Sequence, residues 1–360
     1  MKEKGVYVLS GIILAFICIV LIFAGNPGNM AFCIACFIRD SAGAMKMHQA
    51  AVVQYFRPEI VGLLLGSFII AVIKKEYRST AGSAPMVRFF LGFTMMVGAL
   101  VFLGCPLRML IRMGAGDLNA YVGFVGFILG VLTGVYALRK GFSLGRAYET
   151  SKISGAVLPL MWTAVFIIFL AVPSLFAFSE KGPGSMHAPI FIALLCGVVF
   201  GIIAQRIRMC TIGMIRDAAL TGTYFLGIIA AVFVATLIVF NLINGSFKLS
   251  FAGQPIAHSM HLWNILGLYT VGLAGVLAGG CPLRQIILAG QGSSDAAVTF
   301  IGMLVGAAAC HNFSLASAAA SAESAGGPSI NGKIALIICL LITLFIAFTV
   351  KGRKTVIKSL

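Results

Sequence analysis

The pentapeptide GCPLR occupies residues 104–108 and recurs unchanged at residues 280–284. Each copy directly follows a long apolar segment, after which the chain presents a glycine, a thiol, a proline and a guanidinium in the same order. Proline is favoured at the first position of a helix, where its missing N–H and fixed φ do no harm. Each copy therefore predicts a helix that begins at the proline, with Cys105 or Cys281 at the N-cap.

A thiol at a helix N-cap is suited to contact with anions. The first N–H groups of a helix lack intrahelical partners and carry about half a positive charge, which favours an anion or a thiolate. A single copy would equally describe a tight turn that breaks a membrane helix, and an arginine near a helix end often extends to the membrane surface. Two copies at a constant spacing favour a pair of anion-binding elements, with these residues beside the cysteines: Arg108, Arg284, Gly104, Pro106, Gly280 and Pro282.

The composition indicates a membrane protein. Of the 360 residues, 60% are hydrophobic and 10% are charged, and the mean hydropathy is +1.05, far above the range of soluble proteins. The formal net charge of +16 does not indicate nucleic-acid binding, because the basic residues lie at the ends of apolar segments. Ten segments approach or reach the length of a spanning helix, about 17–25 residues: 6–25, 58–73, 87–103, 119–138, 155–178, 189–205, 222–243, 262–279, 294–312 and 333–350.

A second repeated stretch divides the chain into two halves. FCIACFIRD at residues 32–40 corresponds to MCTIGMIRD at residues 209–217, at nearly the same offset as the two GCPLR copies. Shifting the first five apolar segments by that offset brings each near one of the second five, which predicts repeats at 1–178 and 179–360. An odd number of spans in each half places the halves in opposite orientations, the inverted repeat that is common among transporters.

The distribution of basic residues supports this topology. With a retained first helix and the N-terminus in the cytoplasm, the segments starting at Ser179 and Asn244 are extracellular, and each carries one lysine. The basic loops and the C-terminal tail then all lie in the cytoplasm, with these residues: Lys74, Lys75, Arg78, Arg88, Arg139, Lys140, Arg146, Lys152, Lys351, Arg353, Lys354 and Lys358. The four motif stretches are too short to span, so we expect re-entrant half-helices that enter from both faces and meet in an hourglass-shaped protein.

Four cysteines are candidate substrate contacts. Cys33 and Cys210 correspond to each other in the repeat and join Cys105 and Cys281 in one predicted path. Thiols are weak hydrogen-bond donors and acceptors, which suits a soft anion such as a sulfur or selenium species. We expect Cys18, Cys196 and Cys339, in the middle of apolar segments, to serve only in packing, whereas Cys310 beside His311 fits either role.

Charged pairs follow both cysteine stretches. Arg39–Asp40 and Arg216–Asp217 place ionisable groups at membrane depth, where they are costly unless paired or functional. We interpret each pair mainly as a structural ion pair, with anion attraction as the alternative.

Other chemistry has weaker support in the sequence. Cys33 and Cys36 form a Cys-x-x-Cys pair, but Gly213 stands at the position that corresponds to Cys36, so a redox pair would exist in one half only. The methionines and scattered histidines lack the spacing of a copper or zinc site, so no metal is predicted. The sequence contains no phosphate-binding loop, dinucleotide fingerprint or nucleophile elbow. We therefore expect no ATP hydrolysis by this chain and no cofactor.

With these motifs and the five-plus-five organisation, the chain resembles the YeeE/YedE family of bacterial inner-membrane proteins over nearly its whole length. That resemblance implies a permease for sulfur compounds, thiosulfate in particular, rather than an enzyme, with anions passed between cysteine S–H groups. Because it has a cysteine in all four elements, the chain most resembles the branch of the family that is associated with selenium metabolism. That resemblance implies a separate cytoplasmic sulfur-carrier protein as a partner. Two alternatives stay open: a membrane thiol–disulfide oxidoreductase that uses Cys33 and Cys36, and a docking protein for a sulfur carrier.

Overall fold

The computed structural model describes residues 2–321 and 323–352. Within these ranges the chain forms fourteen α-helices and one antiparallel ribbon of two short strands, β1 (Thr80–Ala81) and β2 (Tyr148–Glu149). The helices are α1 (Lys2–Phe23), α2 (Ile34–Ala44), α3 (Pro58–Ile73), α4 (Pro85–Phe102), α5 (Pro106–Gly114), α6 (Leu118–Arg139), α7 (Lys152–Ala171), α8 (Ile190–Arg206), α9 (Gly213–Thr221), α10 (Phe225–Ile243), α11 (His261–Ala278), α12 (Pro282–Gly290), α13 (Ser294–Asn312) and α14 (Ile330–Thr349). The predicted tail residues Arg353, Lys354 and Lys358 lie outside the described residues.

Ten of these helices correspond to the ten predicted apolar segments. Within the described residues, eight are long and apolar enough to cross a membrane, when α5 and α12 are counted as continuations of α4 and α11. The other two, α3 and α8, are apolar helices of 16 and 17 residues. The protein is therefore a mostly helical, multi-pass membrane protein.

One predicted boundary was wrong. The segment 155–178 does not continue as a helix to its end, because α7 stops at Ala171 and a short 3₁₀ turn follows at Pro173–Leu175. Pro173 has no N–H to donate to the preceding turn and disfavours a helical conformation at Val172, which has an extended φ of −135°. The apolar composition of residues 172–178 gave no sign of this interruption.

The helix bounds recur along the chain. α4 and α5 cover residues 85–102 and 106–114, whereas α11 and α12 cover 261–278 and 282–290, with the same lengths and the same three-residue break. The packing follows a similar correspondence. α4 packs on α13 as α11 packs on α6, and α3 packs on α8 as α1 packs on α10. The most extensive helix contacts thus join helices from opposite sides of residue 178.

α4 and α11 cross closely near the end of α4 and the start of α11. Gly98 and Gly267 face each other there: a β-carbon on Gly98 would lie 2.6 Å from the Gly267 carbonyl oxygen, and one on Gly267 would lie 2.9 Å from the Gly98 oxygen. Only glycine permits backbones to approach this closely. The crossing therefore joins the two helices that precede the GCPLR copies.

The last long helix before residue 178, α7, and the last helix of the chain's described residues, α14, pack differently. α7 lies against α3 and α12, whereas α14 lies against α4 and α11. The strict correspondence of the other helices therefore does not extend to α7 and α14. The surroundings of the short helices consequently differ between the two parts of the chain.

Candidate functional site

Both GCPLR copies form the predicted helix starts. Cys105 and Cys281 are the N-cap residues of α5 and α12, with proline at the first helical position. Each copy follows a residue in the left-handed region, Leu103 with φ of 62° and Gly279 with φ of 89°, which ends the preceding helix. Neither cysteine side chain caps its own helix by a hydrogen bond. The thiols are therefore not used for capping and remain available for other contacts.

The first residue of each copy makes room for the last. A β-carbon on Gly104 would lie 2.7 Å from Cδ of Arg108, and one on Gly280 would lie 2.7 Å from Cγ of Arg284. Each arginine therefore folds back over its own glycine, so that its guanidinium remains near the N-terminus of the helix. This contact explains in physical terms why the motif combines glycine and arginine.

Three thiols cluster in the first part of the chain. Cys33 is the N-cap of α2, and its Sγ lies 3.0 Å from Sγ of Cys36 and 3.9 Å from Sγ of Cys105. Nη1 of Arg108 donates a hydrogen bond of 3.2 Å to Sγ of Cys36. All four side chains are buried. The structure thus brings Cys33, Cys105 and Arg108 together, with Cys36 as a further member of the cluster.

The contacts of Arg108 use most of its guanidinium. Besides Cys36, it donates to the backbone oxygen of Asn29 at 3.1 Å, to Asn29 Oδ1 at 3.0 Å and to the backbone oxygen of Ile256 at 3.3 Å. Asn29 also donates to the carbonyl of Pro255. The arginine therefore links the loop before α2 to the loop before α11. Sequence reasoning missed Asn29, since nothing in its local pattern marks it.

The corresponding cluster in the second part is built differently. Cys210 lies before α9, which begins only at Gly213, so this cysteine is not an N-cap as Cys33 is. Cys281 is close to the Cys210 thiol and the Thr211 hydroxyl. Nη1 of Arg284 and Oγ1 of Thr211 are buried and have no hydrogen-bond partner among the described residues. Two unpaired polar groups therefore accompany the two thiols.

The sequence explains this contrast. Gly213 stands where the first part has Cys36, so Arg284 lacks the sulfur that Arg108 contacts. Thr211 replaces Ile34 and brings a hydroxyl instead of an apolar side chain. Buried polar groups without partners are uncommon, because each costs about 1–3 kcal/mol. A ligand that accepts hydrogen bonds would satisfy both groups.

The arginine–aspartate pairs are ion pairs in the structure. Arg39 and Asp40 approach within 2.7 Å, as do Arg216 and Asp217. A further arginine, Arg57, also lies 2.7 Å from Asp40 and is fully buried. Arg57 was missed because it lies in a loop, remote from both repeated stretches.

The four short helices are not equivalent. α2 and α5 are buried along their whole length, and α12 is buried except at Arg284 and Leu288, whereas α9 is buried only at Gly213. Among the four short helices, α9 is therefore the least buried. Its exposure agrees with the different packing of α7 and α14.

Other cysteines and histidines lie apart from these clusters. Cys18, Cys310 and Cys339 are buried in the apolar core and Cys196 is half-buried. Across residues 2–321 and 323–352, no group of three histidine, cysteine or acidic side chains has the arrangement of a metal site. The histidines are less scattered than predicted, since the rings of His48 and His311 lie 4.6 Å apart.

Comparison with known proteins gives two matches. Residues 206–358 match the family model described as sulphur transport. The thiosulfate transporter TsuA of Escherichia coli (strain K12) is 33% identical over 109 residues, which are 30% of this chain and 30% of that protein. The match thus spans less than a third of the relative's length. Both matches are to transporters and not to enzymes, and they confirm the resemblance that the motifs predicted. Residues 206–358, which are less than half of the chain, are therefore similar to the YeeE/YedE family of sulfur transporters.

Proposed function

We propose that this protein takes up a small sulfur- or selenium-containing anion through a path lined by Cys33, Cys105, Cys210 and Cys281. The main support is Arg284, whose buried Nη1 has no acceptor among the described residues and whose charge interacts electrostatically with Cys210 and Cys281. A guanidinium in that position attracts an anion, and the N-terminus of α12 adds further positive potential.

A lining of thiols favours anions that contain a polarisable atom such as sulfur or selenium. A thiol is a weak donor on a polarisable atom, so it binds a sulfur or selenium atom without holding it as tightly as a lysine would hold a hard anion. Weak contacts at successive thiols favour passage over trapping. The anion moves by neutral S–H contacts from Cys33 and Cys105 to Cys281 and Cys210, with Arg108 and Arg284 near the two ends.

The proposed path requires a particular membrane arrangement. Residues 1–178 and 179–360 form inverted repeats whose short helices are re-entrant, and both termini lie in the cytoplasm of a bacterial inner membrane. The recurrence of helix bounds at α4–α5 and α11–α12 supports this, as does the excess of basic residues in the assigned cytoplasmic loops. Central half-helices from opposite faces make an hourglass with the thiols at its waist.

Thiosulfate and selenium species share the chemistry that this lining recognises. The E. coli relative is a thiosulfate transporter, which favours thiosulfate, whereas cysteine in all four elements favours a selenium compound. A separate cytoplasmic sulfur-carrier protein would receive the anion at the basic loops. If the protein only docked such a carrier, deletion of the tail from Lys351 would abolish function, whereas a permease tolerates that deletion.

The distance between Cys33 and Cys36 also favours a second candidate function, thiol–disulfide exchange. Their sulfurs are 3.0 Å apart, which suits a redox pair. However, both side chains have 0% exposure, so the thiol of a protein partner cannot reach them without local opening. Transport is therefore the better-supported function.

Uptake into proteoliposomes tests the proposal. Radiolabelled thiosulfate, selenite and selenate are offered to wild type, to Cys281→Ala and to the matched control Cys196→Ala, whose thiol is half-buried away from the clusters. We expect one anion to enter with wild type and the control but not with Cys281→Ala. No uptake of any anion by the folded wild type, or full uptake by Cys281→Ala, would contradict the proposal.

A further inference from the structure

We propose that Cys33 and Cys36 form a reversible disulfide, and that this bond closes the transport path at Cys33. This inference rests on the proposed function, because the closed path is the one through Cys33. It goes beyond that function by assigning to Cys36, which the relay does not use, a role in regulation by small oxidants.

The geometry favours this pair over the other nearby thiols. The sulfurs of Cys33 and Cys36 are 3.0 Å apart, and a disulfide bond is about 2.05 Å long. Both residues belong to the first turn of α2, so small side-chain rotations suffice. Cys105 lies farther from Cys33, at 3.9 Å, on a different helix that Pro106 begins. Bond formation with Cys105 would therefore require movement between α2 and α5.

Two hydrogen-bond donors contact the sulfurs of this pair. The thiolate is the nucleophile in disulfide formation. Nη1 of Arg108 lies 3.2 Å from Sγ of Cys36, and the backbone N–H of Cys36 donates to Sγ of Cys33 at 3.4 Å. Each donor partly offsets the cost of a buried negative charge on the sulfur that it contacts. The second cluster lacks a Cys-x-x-Cys pair, because Gly213 replaces Cys36.

The reaction balances with a small two-electron oxidant. The two thiols lose two protons and two electrons and form one S–S bond, and the oxidant takes up the two hydrogens. Diamide, an azo compound, becomes the corresponding hydrazine in this step. A small dithiol reverses it by exchange and is itself oxidised to a cyclic disulfide. Because both thiols are buried, a small oxidant is required.

The disulfide would remove the first thiol contact from the path. Oxidised Cys33 has no S–H to donate to an anion or to Sγ of Cys105, which lies 3.9 Å away. The path would then be interrupted between the first cluster and the rest of the relay. Cys281 and Cys210 belong to different elements, α12 and the loop before α9, so a bond between them would require movement between those elements.

The experiment measures the bond and the transport separately. Wild type, Cys36→Ser and the control Cys310→Ser are reconstituted, treated briefly with diamide and then divided. One portion is alkylated and digested, and mass spectrometry determines whether Cys33 and Cys36 are linked. The other portion is assayed for anion uptake, before and after treatment with dithiothreitol.

We expect diamide to link Cys33 to Cys36 and to abolish uptake by wild type and Cys310→Ser, with recovery in dithiothreitol. Uptake by Cys36→Ser should persist in diamide. Absence of the linked peptide, continued uptake by linked wild type, or equal inhibition of Cys36→Ser would each overturn the proposal. Absence of uptake by untreated wild type would instead contradict the proposed function, while the mass measurement would still test the disulfide.

Discussion

Arg108 and Arg284 occupy the same position of identical pentapeptides, yet their partners differ. Arg108 donates to Asn29, Ile256 and Cys36, whereas Nη1 of Arg284 lacks a partner within the described part of the chain. The same motif therefore serves two purposes. The first arginine holds two loops together, and the second keeps a buried donor without a partner among the described residues.

This difference predicts opposite phenotypes for matched substitutions. Arg108→Gln should lower the free energy of unfolding by about 2–4 kcal/mol, because it removes several buried hydrogen bonds from a charged donor. Arg284→Gln should leave stability nearly unchanged and strongly reduce anion uptake. Thermal unfolding in detergent and proteoliposome uptake measure the two effects. An unstable Arg284→Gln with normal uptake per folded molecule would contradict this assignment.

Thr211 should contribute to anion binding through its hydroxyl. Thr211→Val keeps the side-chain shape and removes the buried, unpartnered Oγ1, so we expect the apparent affinity for the transported anion to fall by about tenfold, or about 1.4 kcal/mol. Thr211→Ser keeps the hydroxyl and should restore affinity. Concentration dependence of uptake gives the measurement. If the valine variant binds as tightly as wild type while serine does not, packing rather than hydrogen bonding is responsible.

Gly280 should act by positioning Arg284. A methyl group at Gly280 would lie 2.7 Å from Cγ of Arg284, so Gly280→Ala must displace the guanidinium and reduce uptake. Gly227 in α10 is the matched control, since a β-carbon there meets nothing within 4 Å. Gly227→Ala should retain uptake and gain up to about 1 kcal/mol of stability from reduced backbone entropy. Equal uptake by both variants would show that Gly280 does not position the arginine.

The sequence predicted some of these residues and not others, for a physical reason. The N-cap positions of Cys105 and Cys281 follow from local rules, since proline alone fixes where the helix begins. Asn29 and Arg57 act across long sequence separations: Asn29 binds Arg108, and Arg57 donates to the carbonyls of Pro183 and Met186. Such partners are set by tertiary packing, which leaves no local pattern.

At the scale of elements, α2 and α9 show how the same sequence signal meets different surroundings. Asp40 at α2 is fully buried between Arg39 and Arg57, whereas the Asp217 side chain at α9 is 23% exposed and pairs with Arg216 alone. Arg57 lies at the loop before α3 and also contacts the rings of Phe37 and Tyr55. The first short helix is therefore fixed from several sides.

Substitution of the two aspartates should have different effects on stability in α2 and α9. Asp40→Asn leaves two buried arginines without a carboxylate and should lower the free energy of unfolding by about 3–5 kcal/mol. Asp217→Asn removes a partly solvated pair and should cost at most about 1 kcal/mol. Thermal or denaturant unfolding of the detergent-solubilised variants compares them. Similar losses of stability would indicate that α9 is as tightly held as α2.

The long helices were predictable as elements, and their packing was not. Hydropathy marked all ten apolar segments, because the bilayer requires continuous apolar stretches of a set length. The failure at 155–178 has the same origin, since an apolar turn at Pro173–Leu175 satisfies hydropathy as well as a helix does. Nothing in composition distinguishes α7 from α14, although they pack against different helices.

At the scale of the whole molecule, the two parts interlock. The most extensive contacts join α11 to α6, α3 to α8 and α13 to α4, so helices from before and after residue 178 alternate through the core. Neither part could bury its apolar faces in this way alone. The first cysteine cluster also touches the second part of the chain, because Arg108 donates to the carbonyl of Ile256.

Inverted insertion makes a prediction about exposed loops at equivalent positions. Gln49 follows α2 and Thr223 follows α9, and both side chains are exposed. In an inverted repeat these positions lie on opposite faces of the membrane, whereas in a parallel repeat they lie on the same face. One cysteine is introduced at either position in the Cys196→Ala parent variant. Its reaction with a membrane-impermeant maleimide shows on which face of the membrane that position lies.

We expect Gln49→Cys to react in intact cells and Thr223→Cys to react only after permeabilisation. The cysteines native to the described residues are mostly buried and should remain unlabelled in the parent variant. Glu180→Cys and Ala147→Cys provide an independent pair, since their loops are assigned outside and inside by the basic residues. Labelling of Gln49→Cys and Thr223→Cys from the same side would exclude the inverted repeat. The two thiol clusters would then have no reason to face opposite compartments, and the relay between them would need a different geometry.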